Sequence, residues 1–278
     1  MPIWNTPEAY LREAMESILN QTYKDFEFLI LNDSPDNTKL DEIVASYGDA
    51  RVRYVRNECN MGITPSRNKL LRMALGEYIA IFDHDDISLP ERLEKQVAYL
   101  DAHPEVGVLS CGVRELPAGK EVHYPREDAE IRMGLMWGCM ITHSAAMLRK
   151  SVLEESGLCY EEEFSPSEDY ALWCRLIPHT RFYNMDDVLF CYRKHRDNTS
   201  KHQAERMKNA TFAIRAFAAA ENPALYQEYL MRAEHVERIK LFGVLPLLKR
   251  VRCGLRERVY LFDFILLYTS KRVIKMKV

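Results

Sequence analysis

A chain of 278 residues, 47% hydrophobic and 28% charged, has ordinary globular composition and is long enough for one large domain or a domain with an appendage. Its net charge of −3 is unevenly spread, because residues 232–278 carry 12 Lys/Arg against 4 Asp/Glu, a basic tail on an acidic body that points toward an anionic surface. Seven cysteines, an odd number without a C-x-x-C pair, argue for free thiols in a reducing compartment and against a disulfide frame or zinc site. No signal peptide is visible. The longest apolar runs, Leu241–Leu248 and Val259–Tyr268, fall short of a bilayer span, so a cytoplasmic protein, soluble or peripheral on the inner membrane face, is expected.

The chain opens at Met1-Pro2-Ile3-Trp4-Asn5, which reads as the loop after a first strand. A truncated first strand is therefore expected, with about six to eight apolar residues preceding Met1. Thr6-Pro7 caps a helix in which Leu11, Ala14, Met15, Ile18 and Leu19 recur at helical spacing. Phe26–Leu31 is a buried-strand run that ends in the turn-rich stretch Asn32–Asn37. A helix over about Leu40–Tyr47 and a strand at Val52–Val55 follow. Thr64-Pro65 opens the next helix, and Gly76 stops it. Tyr78–Phe82 is a strand ending in Asp83-His84-Asp85-Asp86, followed by a helix from Pro90 to Ala102 and a strand at Val106–Ser110. This alternation is the signature of an α/β domain with a mainly parallel sheet, whose ligands collect beyond the carboxyl ends of the strands.

The second half is less regular. Helices are expected near Glu127–Trp137 and Asp169–Leu176, with strands at Ala145–Leu148 and Arg181–Asn184. Residues 202–240 read as mostly helical, and residues 201–278 together as a helical appendage. A weak repeat relates Ile239-Lys240-Leu241-Phe242-Gly243 to Val259-Tyr260-Leu261-Phe262-Asp263; two copies do not make a solenoid.

Several motifs carry chemistry. Asp83-x-Asp85 follows an apolar strand, and paired carboxylates there suit a hard divalent cation; the plain alternative is an acidic turn. Asp33 is a carboxylate able to accept a hydrogen bond at a strand end, or an Asx-turn residue. Trp4 is an aromatic ring able to stack on a flat ligand, or a core tryptophan. Arg67 and Asn68 lie in the first turn of their helix, where Arg meets phosphate or Asp, or faces solvent. Asp169 is a carboxylate placed to take a proton, or an N-cap before Tyr170. His195 is an imidazole able to ligate a metal or meet phosphate, or a solvated residue among Arg193, Lys194 and Arg196. Trp137-Gly138-Cys139 either borders an acceptor pocket or packs.

Together these residues resemble family-2 glycosyltransferases of the GT-A fold. The resemblance rests on Trp4-Asn5, Tyr10-Leu11, Ser17-Ile18-Leu19-Asn20-Gln21-Thr22-Tyr23, Phe26-Glu27 and Asn32-Asp33-Ser34. It continues through Asn60-Met61-Gly62, Arg67-Asn68, Gly76–Ala80, Asp83–Asp86, His143, Glu168-Asp169, Tyr170, Trp173 and Tyr192–His195. It covers about residues 1–200, taken as the catalytic domain, and leaves the tail outside. It implies inverting transfer of a sugar from a nucleotide diphosphate donor, UDP-linked by the family pattern, to a saccharide or lipid-linked acceptor in surface polysaccharide or lipopolysaccharide synthesis.

The resemblance assigns Mn²⁺ or Mg²⁺ to Asp85 and Asp83, with His195 completing the shell. It assigns the donor to Trp4, Asp33, Arg67, Asn68 and His84. Asp169 is implied as the base, with Glu168 beside it near the acceptor. Two positions depart from the family pattern: Asn32-Asp33 has one carboxylate where two are usual, and Ser144 follows His143 where Pro is common. The basic, apolar tail is expected at a membrane surface; nucleic acid is not expected as a partner. A nucleotidyltransferase would need a Gly-rich phosphate loop with a Lys near the start, and none is present. A non-catalytic sugar-binding or scaffold relative is the alternative.

Overall fold

The computed structural model describes residues 1–196, 198, 202–232, 234–241, 245–253, 256–261 and 265–271. Strand β1 (Pro2–Ile3) is two residues long and pairs in parallel with β2 (Phe28–Asn32), Pro2 opposite Leu31 and Ile3 opposite Asn32. Strand β3 (Val52–Arg56) adds to β2 in parallel, from Phe28 opposite Val52 to Asn32 opposite Arg56. Helices α1 (Glu8–Leu19) and α2 (Thr38–Ala45) make the crossovers that parallel pairing requires. In α1 the residues spaced three and four apart, Leu11, Ala14, Met15 and Ile18, are the buried ones. They pack on Ile3, Phe28 and Ile30 in one apolar core.

After α3 (Ile63–Met73) the chain enters a second, mixed sheet in the order β4 (Tyr78–Ala80), β8 (Met147–Arg149), β6 (Val106–Leu116), β9 (Arg181–Arg193), β5 (Ile87–Ser88). A short strand β7 (Lys120–Val122) folds back on β6. Only β6 and β9 are parallel in this sheet; β8, β5 and β7 run antiparallel to their neighbours. The parallel character expected from the βα alternation therefore lies in β1–β3 and the β6–β9 pair. Helices α4 (Arg92–Ala102), α5 (Asp128–Leu135), α6 (Lys150–Ser156) and α7 (Glu168–Leu176) join these strands.

Buried polar residues fix the elements around the site. Gln21, fully buried at the end of α1, donates to Ser17 O and Leu89 O and accepts from Leu93 N–H. Arg92, also fully buried, donates to the carbonyls of Ile81 and Ala146. Each such group needs its partners, since an unsatisfied buried donor costs about 1–3 kcal/mol. Between β2 and β4 lies an apolar cleft of about 930 Å³, lined by residues including Met1, Phe28, Leu29, Tyr78, Ile79 and Ile81. Of the sequence-predicted site residues it meets only Arg67.

The chain divides into two compact units, Met1–Ala218 and Ala219–Val278. Helices α8 (Ala204–Glu221) and α9 (Pro223–Arg232) agree with the helical expectation, which does not hold beyond Arg232. There the backbone forms a four-stranded antiparallel meander, β10 (Glu234–Leu241), β11 (Leu245–Cys253), β12 (Arg256–Leu261) and β13 (Ile265–Lys271). The repeat explains the correction. The described parts of its two copies, Ile239–Leu241 and Val259–Leu261, form the ends of β10 and β12. Short runs rich in β-branched and aromatic residues suit strands as well as helices. Among the described residues no helix is long and apolar enough to cross a membrane.

Candidate active site

The site is built at the carboxyl ends of β2 and β4 and is tied together by α3. Asp33 follows β2 directly and is only 4% exposed. Its Oδ1 accepts from Asn57 Nδ2 at 2.7 Å and Met61 N–H at 2.9 Å, and its Oδ2 accepts from Gly62 N–H at 2.9 Å. Asp33 thus anchors the loop that starts α3 and keeps one acceptor position on Oδ2. Gly62 caps α3 at φ +87°, a backbone conformation that favours glycine. The neighbouring Asn32 makes the Asx-type turn, accepting from Ser34 N–H at 2.8 Å.

Trp4 is 57% exposed, which excludes the core reading of that ring. With Asn5, Asp33–Asn37, Glu58, Cys59 and Asn60 it lines a cleft of about 540 Å³, within the usual range for small-molecule sites.

Five residues after Gly62, about 7 Å along the helix, α3 presents Arg67. Its Nη1 donates to Glu168 Oε1 at 2.6 Å, and its Nη2 to Asp83 Oδ1 at 3.1 Å. Burial pulls the Arg67 pKa down, but Asp83 and Glu168 outweigh it and raise it. Burial likewise disfavours the Asp83 carboxylate, and Arg67 reverses that and lowers its pKa. Asn68 faces elsewhere: its amide donates to Tyr160 O at 2.8 Å and accepts from Tyr160 N–H at 3.0 Å, pinning the segment after α6. The Tyr160 hydroxyl is 2.9 Å from His143 Nε2. Burial and the Arg67 charge push His143 down to about 3, so it is neutral.

Beyond Asp83 the turn splits its roles. Asp85 Oδ2 lies 2.8 Å from His195 Nε2, so the motif after β4 and the loop after β9 meet. Asn198 Nδ2 is 3.5 Å from the same oxygen. Arg193 locks this meeting, its Nε donating to Asp85 O at 2.8 Å and its N–H to Asp86 Oδ1 at 2.9 Å. Asp86 is almost fully buried, and burial together with Asp85 and Asp83 pushes its pKa well up. His84 Nδ1 is buried without a hydrogen-bond partner among the described residues.

Asp169 lies in the first turn of α7. The N-cap is Ser167, so Asp169 does not serve as the cap. Burial and then the neighbouring Glu168 push Asp169 up to about 6, against the lowering effect of Arg67. Glu168 Oε2 is buried and without a partner among the described residues.

The family resemblance implies a divalent cation, and the chemistry of the donor set bears on it. Asp85 and His195 offer a carboxylate oxygen and an imidazole nitrogen at contact distance. Among the described residues no group of three or more His, Cys, Asp or Glu is placed to hold a metal ion. The pair therefore fits part of a cation's shell.

A family model for glycosyl transferase family 2 matches residues 1–157. The chain belongs to that family. An uncharacterized glycosyltransferase of Methanocaldococcus jannaschii is 37% identical over 207 residues, 71% of each chain. The O-antigen biosynthesis glycosyltransferase WbnJ of Escherichia coli is 31% identical over 76% of this chain and 84% of its own. The GT-A fold is matched by Staphylococcus aureus TarS in complex with UDP-GlcNAc, with a TM-score of 0.67, 20% identity and coverage of 83% of this chain and 70% of that one. The Pyrobaculum calidifontis mannosyltransferase PcManGT, in complex with GDP-Man and Mn²⁺, gives a TM-score of 0.55 at 19% identity, covering 80% and 73%.

Sequence reasoning missed Tyr160 and gave Asn198, seen only as the start of the sequon Asn198-Thr199-Ser200, no place in the site. Each joins it through contacts made only in the folded chain. Asp86 was seen only as part of its motif; the strap from Arg193 gives it a structural place.

Proposed function

We propose that this glycosyltransferase is an inverting enzyme that moves a sugar from a UDP-linked donor to a saccharide or lipid-linked acceptor of the cell surface. The observation that carries the reading is Arg67, which joins the Asp83 end of the donor motif to the Glu168-Asp169 pair from one helix. The same helix starts at the loop that Asp33 anchors beside Trp4. A nucleoside in the Trp4 cleft therefore points its diphosphate toward Asp83 and Asp85, and the sugar toward Asp169.

In this reading Trp4 stacks on the base, and the remaining acceptor position of Asp33 takes its N–H. Asp85 and His195, with Asp83 alongside, hold Mn²⁺ or Mg²⁺, which when bound offsets the charge of the departing diphosphate. Asp169 accepts the proton of the acceptor hydroxyl as that oxygen bonds to the anomeric carbon. The bond from that carbon to the diphosphate breaks on the opposite side, and the electron pair leaves with the nucleoside diphosphate. Burial suits Asp169 to this work, since a carboxylate near 6 is a stronger base than one near 4 yet still ionised at neutral pH. The Tyr160 ring, tied to neutral His143 through its hydroxyl, lies under Arg67 without adding charge.

WbnJ is named for O-antigen biosynthesis, which supports a surface-saccharide acceptor. TarS with UDP-GlcNAc supports a uridine donor. The basic residues after Arg232 support a membrane-surface location, each contributing about 1 kcal/mol near anionic lipid. A panel of UDP- and GDP-sugars with Mn²⁺ tests the reading by nucleotide release. Release from a UDP-sugar that disappears in Asp169→Asn is expected; a preference for GDP-sugars overturns the donor assignment.

A further inference from the structure

Trp137 stands just beyond the last turn of α5 and is 54% exposed, unusual for a ring of its size. Its loop is nevertheless firmly held. The N–H groups of Trp137 and Gly138 both donate to Gly134 O, at 2.8 and 3.0 Å. Position 134 has no room for a side chain, because a Cβ there would come within 2.5 Å of Met140.

The Arg215 guanidinium, from α8, lies 4.0 Å from the Trp137 ring centroid and covers one face of the indole. Arg215 also reaches the hydroxyl of Tyr170, which donates to Leu135 O at 2.6 Å. The indole is thus clamped to the residue that follows Asp169, with its other face open. Tyr124, 37% exposed, and Cys139 both lie within electrostatic range of the Asp169 carboxylate.

The loop that carries this indole comes within electrostatic range of the Asp169 carboxylate at Cys139, and an exposed aromatic face there has a definite complement. The C–H groups on one face of a pyranose carry partial positive charge and lie well on the negative face of an indole. Its hydroxyls radiate from the rim and stay free to hydrogen-bond. An acyl or polyprenyl chain would instead need a continuous apolar wall, and the group against the covered face of Trp137 is the charged Arg215.

We propose that Trp137, with Tyr124, is the acceptor platform, and that the group it receives is a pyranose ring. The proposal rests on the reading of Asp169 as the base. It names the acceptor class: the hydroxyl that attacks belongs to a sugar already in place.

The probes are octyl glycosides of glucose, galactose, N-acetylglucosamine and N-acetylgalactosamine, with octanol as the lipid control. Two measurements bear on it. The chain has three tryptophans, and Trp173 is fully buried, so a Trp4→Phe variant reports Trp137 by fluorescence. Its emission should change saturably with at least one glycoside and not with octanol, and adding Trp137→Phe should abolish the change. In the second, glycosides should stimulate UDP release by the wild-type enzyme. Trp137→Ala should lose that stimulation by at least about tenfold through a raised acceptor KM. Trp137→Phe should keep most of it. Equal stimulation in Trp137→Ala overturns the proposal, as does a glycoside-silent Trp4→Phe spectrum or an equal response to octanol. Failure of the underlying reading looks different: fluorescence still reports glycoside, but Asp169→Asn releases UDP as fast as wild type.

Discussion

Arg67 and Glu168 lie 101 residues apart in sequence and 2.6 Å apart in space. Because the same guanidinium also holds Asp83, one side chain pairs with two carboxylates that converge from different halves of the domain. Removing it leaves buried negative charges unpaired, which costs about 3–5 kcal/mol. Arg67→Met is therefore expected to lower the unfolding midpoint sharply and to abolish transfer. Arg67→Lys should fold better but not reach both carboxylates, since a single ammonium lacks the planar fork. Thermal unfolding of the two variants checks this; an Arg67→Met midpoint equal to wild type would show that the pair carries no stability.

The acid limb of the rate profile should belong to Asp169. Burial and Glu168 push that carboxyl up to about 6, and a general base works only when ionised. Transfer by the wild-type enzyme is expected to rise with pH and level off above about 6. Asp169→Asn should lose about 10²–10⁴-fold in kcat without losing donor affinity. A profile flat from pH 5 to 8, measured by UDP release, would remove Asp169 from the proton transfer.

The same shift has a consequence for stability. The folded Asp169 binds its proton more tightly than the unfolded chain, whose ordinary value is 3.8. Its favourable contribution is complete below about 3.8 and is lost as pH rises through about 6. Asp169→Asn should consequently gain about 2–3 kcal/mol over wild type at pH 7.5, and nothing at pH 3.5. Urea unfolding at the two pH values gives the comparison. An inactive variant that is also less stable at pH 7.5 would mean that the carboxylate holds structure.

Much of this arrangement was legible in the sequence because the motifs sit where periodicity ends. The apolar runs of β2 and β4 stop at Asp33 and at Asp83, and both lie at the site rim. What the sequence concealed was partnership. Asn68 looked like a donor contact by proximity to Arg67, but neighbours on a helix diverge by about 100°, and Asn68 faces the Tyr160 backbone instead. Trp4 and Trp137 were each open between packing and binding, because residue type alone does not fix exposure. The tail misled for another reason: short apolar runs fit helix or strand equally, and periodicity alone does not choose between them.

Asp85 and His195 invite a test by metal. If they share a cation with the donor diphosphate, chelation by EDTA should abolish transfer, and Mn²⁺ should restore it. His195→Ala should raise the Mn²⁺ concentration needed for half-maximal activity by about tenfold to a hundredfold. Asp85→Asn should lose activity at all Mn²⁺ concentrations, because a neutral amide is a poor ligand for a hard cation. Mn²⁺ titration of UDP release distinguishes these outcomes, and activity undiminished in EDTA would take the cation out of the mechanism.

Gly62 offers the most selective probe of the Asp33 cleft. Its φ of +87° is strained for any residue with a Cβ, although nothing lies within 4 Å of where that atom would stand. Gly62→Ala therefore acts through the backbone alone and should cost about 1–2 kcal/mol. The loop can relieve that strain only by rotating the 61–62 backbone, which turns the two N–H donors away from Asp33. Held then by Asn57 alone, Asp33 should shift out of register with the cleft that Trp4 lines. Donor KM should rise while kcat at saturating donor changes little, because Arg67 and Asp169 keep their own contacts. Isothermal titration with UDP reads the effect directly. A Gly62→Ala protein that loses stability but binds UDP as tightly as wild type would show that Asp33 shapes the fold and not the nucleoside site.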